Sequence, residues 1–137
     1  MACPYFYPTA RLGKSFWAIP PRCPLGDAYQ GECRSACATA QPDETILRQY
    51  CNFGYGRGHC GSFPGDAEAD AVRFHIAGEF GQSIRLQYVL EKDCWPILYG
   101  TADFSMATQE FIAGPTDEIL RRQAAVFIES YCRRKAQ

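Results

Sequence analysis

The stretch Val72-Arg73-Phe74-His75-Ile76-Ala77-Gly78-Glu79-Phe80-Gly81-Gln82-Ser83-Ile84-Arg85-Leu86-Gln87-Tyr88-Val89-Leu90 decides the fold class. Val72, Phe74 and Ile76 alternate with Arg73 and His75, and Ile84, Leu86, Tyr88 and Leu90 alternate with Arg85 and Gln87. That period of two puts the apolar side chains on one face of a strand. Gly78-Glu79-Phe80-Gly81 supplies turn formers between the two runs, so the segment reads as a β-hairpin with one buried face. A shorter third strand is expected over Trp95 to Tyr99, after the polar turn Glu91-Lys92-Asp93, and Pro96 confines it to a sheet edge.

An apolar sheet face needs a cover, and the end of the chain offers one. Pro115 and Thr116, with Asp117 and Glu118 in the first turn, open a helix. Leu120, Ala124, Phe127, Ile128 and Tyr131 form its inner face, and Arg133, Arg134 and Lys135 close it in agreement with the macrodipole. The expected fold class is α+β: a small antiparallel sheet, hairpin plus edge strand, packed by a C-terminal helix. With 137 residues, 47% hydrophobic and 21% charged, the chain suits one domain over 1–137. It divides into a cysteine-rich half, 1–66, and a hairpin-and-helix scaffold, 67–137.

Six of the eight cysteines, Cys3, Cys23, Cys33, Cys37, Cys51 and Cys60, fall in the first half, among many prolines and glycines. Such a segment is expected to form little regular structure and to be organised instead by a metal centre gripped by thiolates. One helix is expected within it, capped by Pro42-Asp43-Glu44, with Ile46, Leu47 and Tyr50 as its apolar face and Asn52 and Gly54 as its stop, so that Cys51 sits in the last turn.

The 14 basic and 15 acidic side chains and a pI near 6.1 give no global attraction to nucleic acid. No apolar run approaches the roughly 20 residues of a membrane span, and the opening Met1-Ala2-Cys3-Pro4-Tyr5-Phe6-Tyr7-Pro8 lacks the pattern of a secretory leader. The expected location is the cytoplasm, where thiols stay reduced and clustered cysteines point to metal or redox chemistry.

Four ligands are chosen from the six: Cys3, Cys33, Cys51 and Cys60, each read as adjoining a turn or helix end, with Cys37 and then Cys23 in reserve. Cys3-Pro4, Cys23-Pro24, Gly31-Glu32-Cys33 and Gly58-His59-Cys60-Gly61 place thiols beside residues that bend the backbone or let amides turn toward cluster sulfurs, and Phe6, Tyr7, Phe53, Tyr55 and Phe63 offer an apolar wall. An iron–sulfur cluster, 4Fe–4S, is the leading expectation. Structural zinc, which four thiolates also suit, is the alternative, and disulfides or plain thiols are the remainder. Cys94 and Cys132 read as packing residues, His59 as pointing away from Cys60, and His75 as lying on a solvent face. Asp66, Glu68 and Asp70 read as a solvated turn, and Gly54-Tyr55-Gly56-Arg57-Gly58 as a loop wrapping the cluster, since it lacks the lysine of a phosphate cradle.

Cys3-Pro4-Tyr5-Phe6, Pro20-Pro21-Arg22-Cys23-Pro24-Leu25-Gly26-Asp27, and Cys51-Asn52-Phe53-Gly54-Tyr55-Gly56-Arg57-Gly58-His59-Cys60 with Phe63-Pro64 resemble a small group of uncharacterised bacterial cysteine-rich proteins. The resemblance implies one cysteine-bearing unit and carries no activity. The expected function is electron transfer or redox sensing for a protein partner or larger complex. The alternative is a zinc module serving as subunit or adaptor. A thiol enzyme is the third class, and its usual C-x-x-C motif is missing.

Overall fold

The chain folds as two antiparallel sheets that share one helix. A computed structural model describes residues 2–13, 23–35, 38–53 and 59–136. The first sheet has strands β1 (Phe6–Arg11), β2 (Tyr29–Ser35) and β3 (Ala38–Ala40) in that order. A helical turn α1 (Glu44–Ile46) then runs directly into a π-helical turn, Leu47–Cys51. The second sheet has strands β4 (Ala71–Phe80), β5 (Ser83–Lys92), β6 (Trp95–Ser105) and β7 (Glu110–Ala113) in sequence order, followed by helix α2 (Glu118–Lys135). Among the described residues no helix is long and apolar enough to cross a membrane.

The α+β class and the hairpin stand, with corrections. The first half does carry a regular ladder: Phe6 pairs with Cys33, Tyr7 with Glu32 and Arg11 with Tyr29, and Cys33 pairs onward with Ala40. The prolines mislead because Pro8 sits beside a bulge, where β1 shifts register. Gly31 is needed at its place for a different reason than a bend, since a Cβ there would stand 2.1 Å from the Tyr7 carbonyl. In the hairpin, β4 continues to Phe80, absorbs Ala77 in a bulge, and turns at Gly81-Gln82, with Gly81 at φ +63°. The third strand runs well past Tyr99 to Ser105, and β7 pairs only with its far end, Asp103–Ser105.

Helix α2 buries two faces. Ala124 and Ile128 pack with Ile84, Leu86, Ala102 and Phe104 of the four-stranded sheet, flanked by Phe127 and Tyr131. Val126 packs with Ala2, Phe6, Leu25, Tyr29, Leu47 and Cys51 of the other layer. The expected inner face is therefore only part of what is buried. Gln123 and Ser130, polar and fully enclosed, belong to the second face. Asp117 caps the start, its carboxylate accepting from the Leu120 amide at 2.8 Å. Ala2 and Val72 exchange two backbone hydrogen bonds of 2.8 Å, stitching the start of the chain to β4.

The β5–β6 turn, Asp93-Cys94, has both residues at positive φ, +51° and +68°. That is the twist a two-residue hairpin wants, in a conformation that costs a residue with a Cβ about 1–2 kcal/mol. Cys94→Gly should therefore raise the unfolding free energy by about 0.5–1 kcal/mol, part of the relief being lost to glycine's freer unfolded chain. Denaturant melts of the two proteins check this, and an unchanged or lower midpoint would refute strain at Cys94.

Candidate metal centre

Cys3, Cys33 and the closer pair Cys51 and Cys60 all reach the wall of one cavity of about 380 Å³. Cys3 opens the turn Cys3-Pro4-Tyr5-Phe6, which is closed by the Phe6 amide donating to the Cys3 carbonyl at 3.1 Å. Cys60 opens a turn of the same form, Cys60-Gly61-Ser62-Phe63, closed by the Phe63 amide donating to the Cys60 carbonyl, also at 3.1 Å. Cys33 lies inside β2, directly across from Phe6, which corrects the reading that it adjoins a bend. Cys51 ends the π-helical turn, and the Cys3 amide donates to its carbonyl at 3.4 Å.

Local chemistry holds each in place. Asp43 caps α1 by accepting from the Ile46 amide at 2.9 Å. Buried Asn52 stops the π-helical turn and accepts from the Tyr29 amide while donating to the Tyr29 and Leu47 carbonyls, all at 3.0 Å. Its side chain thereby acts as an extra strand for β2 and fixes Cys51 against it. Gln123 of α2 donates from one nitrogen to the Cys3 and Phe6 carbonyls, each at 2.7 Å, and so clamps both ends of the Cys3 turn.

The four thiols also meet electrostatically. Burial pushes the Cys3 thiol up to about 12, and the neighbouring Cys33 and Cys60 push the same way. Backbone N–H groups of Tyr5 and Phe6 aimed at its sulfur oppose the rise. Burial likewise pushes Cys51 far above the ordinary thiol range, reinforced by Cys3, Cys33 and Cys60. Two amides converging on one sulfur favour its thiolate form, the form that binds metal. Among the described residues no group of three or more His, Cys, Asp or Glu side chains is drawn together as a site for a metal ion.

Two groups that the sequence reading set aside belong to the same cavity. His59 lines it, stacked on Phe63 at 4.2 Å between ring centres, so it does not turn away from Cys60. Asp70, only 2% exposed, lines it too. One of its carboxylate oxygens, Oδ2, accepts from the Asp93 amide at 2.9 Å and stands 3.7 Å from His59 Nε2; the other, Oδ1, is buried with no hydrogen-bond partner among the described residues. Asp66 and Glu68 are exposed, as a solvated turn should be. The signal that separates Asp70 is its place just before the first strand of the hairpin, where its amide already joins the sheet by donating to the Glu91 carbonyl.

Phe6 and Phe63 form part of the apolar wall, with Ile46 and Tyr50 in place of Tyr7 and Phe53. Tyr7 instead lies under the Arg34 guanidinium at 3.6 Å. Cys23 is remote from the cavity, in a buried turn where burial and then Asp27 push its thiol up to about 11. Cys132 packs against the second core, Cys94 is exposed in its turn, and His75 is exposed on β4. Cys37 and the loop 54–58, with Tyr55 and Arg57, lie outside the described residues.

Two outcomes follow from this geometry. In metal-free protein the Cys3 thiol keeps its proton to about pH 12, whereas in the unfolded chain it loses it near 9. The native state then binds more protons across that window, so stability falls as pH rises through it. Urea midpoints at about pH 8 and about pH 10 should drop for wild type and drop less for Cys3→Ala; equal drops would remove Cys3 as a cause. Gln123→Met keeps the volume but removes the donor to the Phe6 carbonyl and the second donor to the Cys3 carbonyl, which keeps the Phe6 amide, and should cost about 1–3 kcal/mol in the same melts.

Compared with family models, with curated proteins and with solved structures, the chain matches none.

Proposed function

We propose that the chain binds an iron–sulfur cluster of the 4Fe–4S kind through Cys3, Cys33, Cys51 and Cys60, and that the cluster passes or senses electrons for a protein partner. The observation that carries this reading is the convergence of four thiols from four separate segments on one cavity. Packing needs no such convergence, because small apolar residues would fill the space equally well. The backbone amides of Tyr5 and Phe6 favour the thiolate of Cys3, as amides near cluster sulfurs do.

Size favours a cluster over one ion. The cavity, about 380 Å³, is many times the room of a single water, roughly 30 Å³ in the liquid. A cubane spreads its thiolates because each binds a different iron. A single zinc at ~2.3 Å from every sulfur would have to draw all four to about 3.8 Å from one another. The zinc module remains the competitor, since a set of four thiolates is chemically complete for it.

The placement suits electron exchange. Cys51 is buried and Cys3 half-buried, whereas His59 at the rim is exposed, so one side of the cavity approaches the surface. A partner docking there would meet the centre at short range. Such a cluster persists where thiols stay reduced, so on this reading the protein works in the cytoplasm.

Protein purified without oxygen should carry iron and acid-labile sulfide, absorb in the visible, and bleach reversibly with dithionite. A colourless protein with one tightly bound zinc would shift the assignment to the structural reading, and absence of both metals would overturn a metal centre altogether. Serine at Cys3, Cys33, Cys51 or Cys60 replaces a soft thiolate by a hard hydroxyl and should lose the centre, while Cys94→Ser and Cys132→Ser keep it. Because the first sheet has its own ladder, the metal-free variants should retain their β-sheet circular dichroism.

A further inference from the structure

The edge of the four-stranded sheet is unlike an ordinary protein edge. β7 covers β6 only at Asp103–Ser105, so among the described residues no strand pairs with the outer side of Trp95–Ala102. The Met106 amide donates to the Gln82 carbonyl across the β5–β6 pair at 2.7 Å. Counting back in the alternation of an antiparallel ladder, residues 104, 102 and 100 bond to β5, and the N–H and C=O of Thr101 and Tyr99 face outward.

The side chains along that edge are large, apolar and exposed: Trp95 by 75%, Ile97 and Leu98 by 51% each, and Tyr99 by 81%. They occupy both faces, because Tyr99 stands opposite Val89 and Leu98 opposite Leu90. Proteins normally blunt a free edge with charge. The opposite edge strand, β4, carries Arg73 and Glu79, but Trp95 through Ala102 carry no charge at all. The next charge, Asp103, is already paired with Arg85 at 2.9 Å.

We infer that β6 pairs antiparallel with β6 of a second copy of this chain, joining the two four-stranded sheets into one continuous sheet across a two-fold axis. An uncharged edge is compatible with itself, since the two-fold brings no like charges together. The outward groups of Tyr99 and Thr101 can serve each other's counterparts in the partner, while Pro96, lacking an N–H, ends the ladder. Trp95 and Tyr99 each bury roughly 150 Å² or more when covered. With Ile97, Leu98 and the exposed Ile112 from both copies, the total reaches the roughly 1,000 Å² at which specific interfaces begin. The contact uses each copy's edge once and therefore closes at two. It does not depend on what the cysteine cavity holds.

Sedimentation of the full chain from about 1 to about 100 μM tests this. The expected species has twice the 15.4 kDa of one chain. Tyr99→Lys and Trp95→Lys, both at exposed positions, should each weaken the dimer at least tenfold while leaving circular dichroism unchanged. A single-chain mass throughout for wild type overturns the inference, as does a dimer that survives both substitutions or an assembly that grows past two.

Discussion

Everything in this fold depends on α2 being buried on two sides. A helix against one sheet needs one apolar stripe, and Ala124 and Ile128 with Phe127 and Tyr131 provide it. The second side is built differently. Val126 is its apolar centre, and Gln123, Ser130 and Arg122 around it are polar side chains that hydrogen-bond to the opposite layer. Polar groups are costly to bury unless paired, so once paired they fix position more tightly than apolar contact does. Arg122 donates to the Pro8 and Thr9 carbonyls, Gln123 clamps the Cys3 turn, and Ser130 joins Tyr29 at 2.7 Å and Asp27 at 2.8 Å. The Arg133 guanidinium completes that last group by pairing with Asp27, whose carboxyl it holds below its usual range against the opposing effect of burial.

The cysteine cavity inherits its rigidity from this arrangement. Cys3 is fixed through Gln123, Cys33 by the register of β1 with β2, and Cys51 by Asn52. Cys60 opens a turn closed by the Phe63 amide, and the Phe63 ring packs on both Tyr5 and His59. The reading of the first half as irregular missed this support, because a backbone ladder and α2 both hold the segments that carry the thiols.

What could be read from the sequence follows from which signals are local. Alternation in β4 and β5, the Asp43 cap and the basic end of α2 are carried by neighbouring residues and appear where expected, while Asp117, read as part of the first turn, is itself the cap of α2. The four thiols of the cavity were also legible, as cysteines beside turns or a helix end, although Cys33 earns its place by strand pairing. The first sheet was not legible: the partners in its β1–β2 ladder lie far apart in the chain, and its strands are broken by Pro8 and Gly31, whose tolerance depends on a bulge and on close approach. Gln123 and Ser130 look like solvent positions until the second layer is known. Asp70 and His59 were missed for the same reason, since only the fold brings the residue before β4 to the turn before Cys60.

Charge is the strongest physical argument about what the cavity is for. Four neutral thiols pack without difficulty, so burial of Cys3 and Cys51 alone says little. The surrounding groups are another matter. Two amides point at the Cys3 sulfur, a carboxylate oxygen of Asp70 is enclosed with no donor among the described residues, and the rim carries His59. Each of these calls for a charged or hydrogen-bonding counterpart in the cavity, and each would be a liability in a merely apolar pocket. A metal centre with thiolate ligands would turn the amides into stabilising contacts, whereas the Asp70 oxygen would still need a donor of its own. On that reading, the high proton affinity that burial gives Cys3 and Cys51 is the natural counterpart: their protons would hold the place that metal takes, and would leave when it binds.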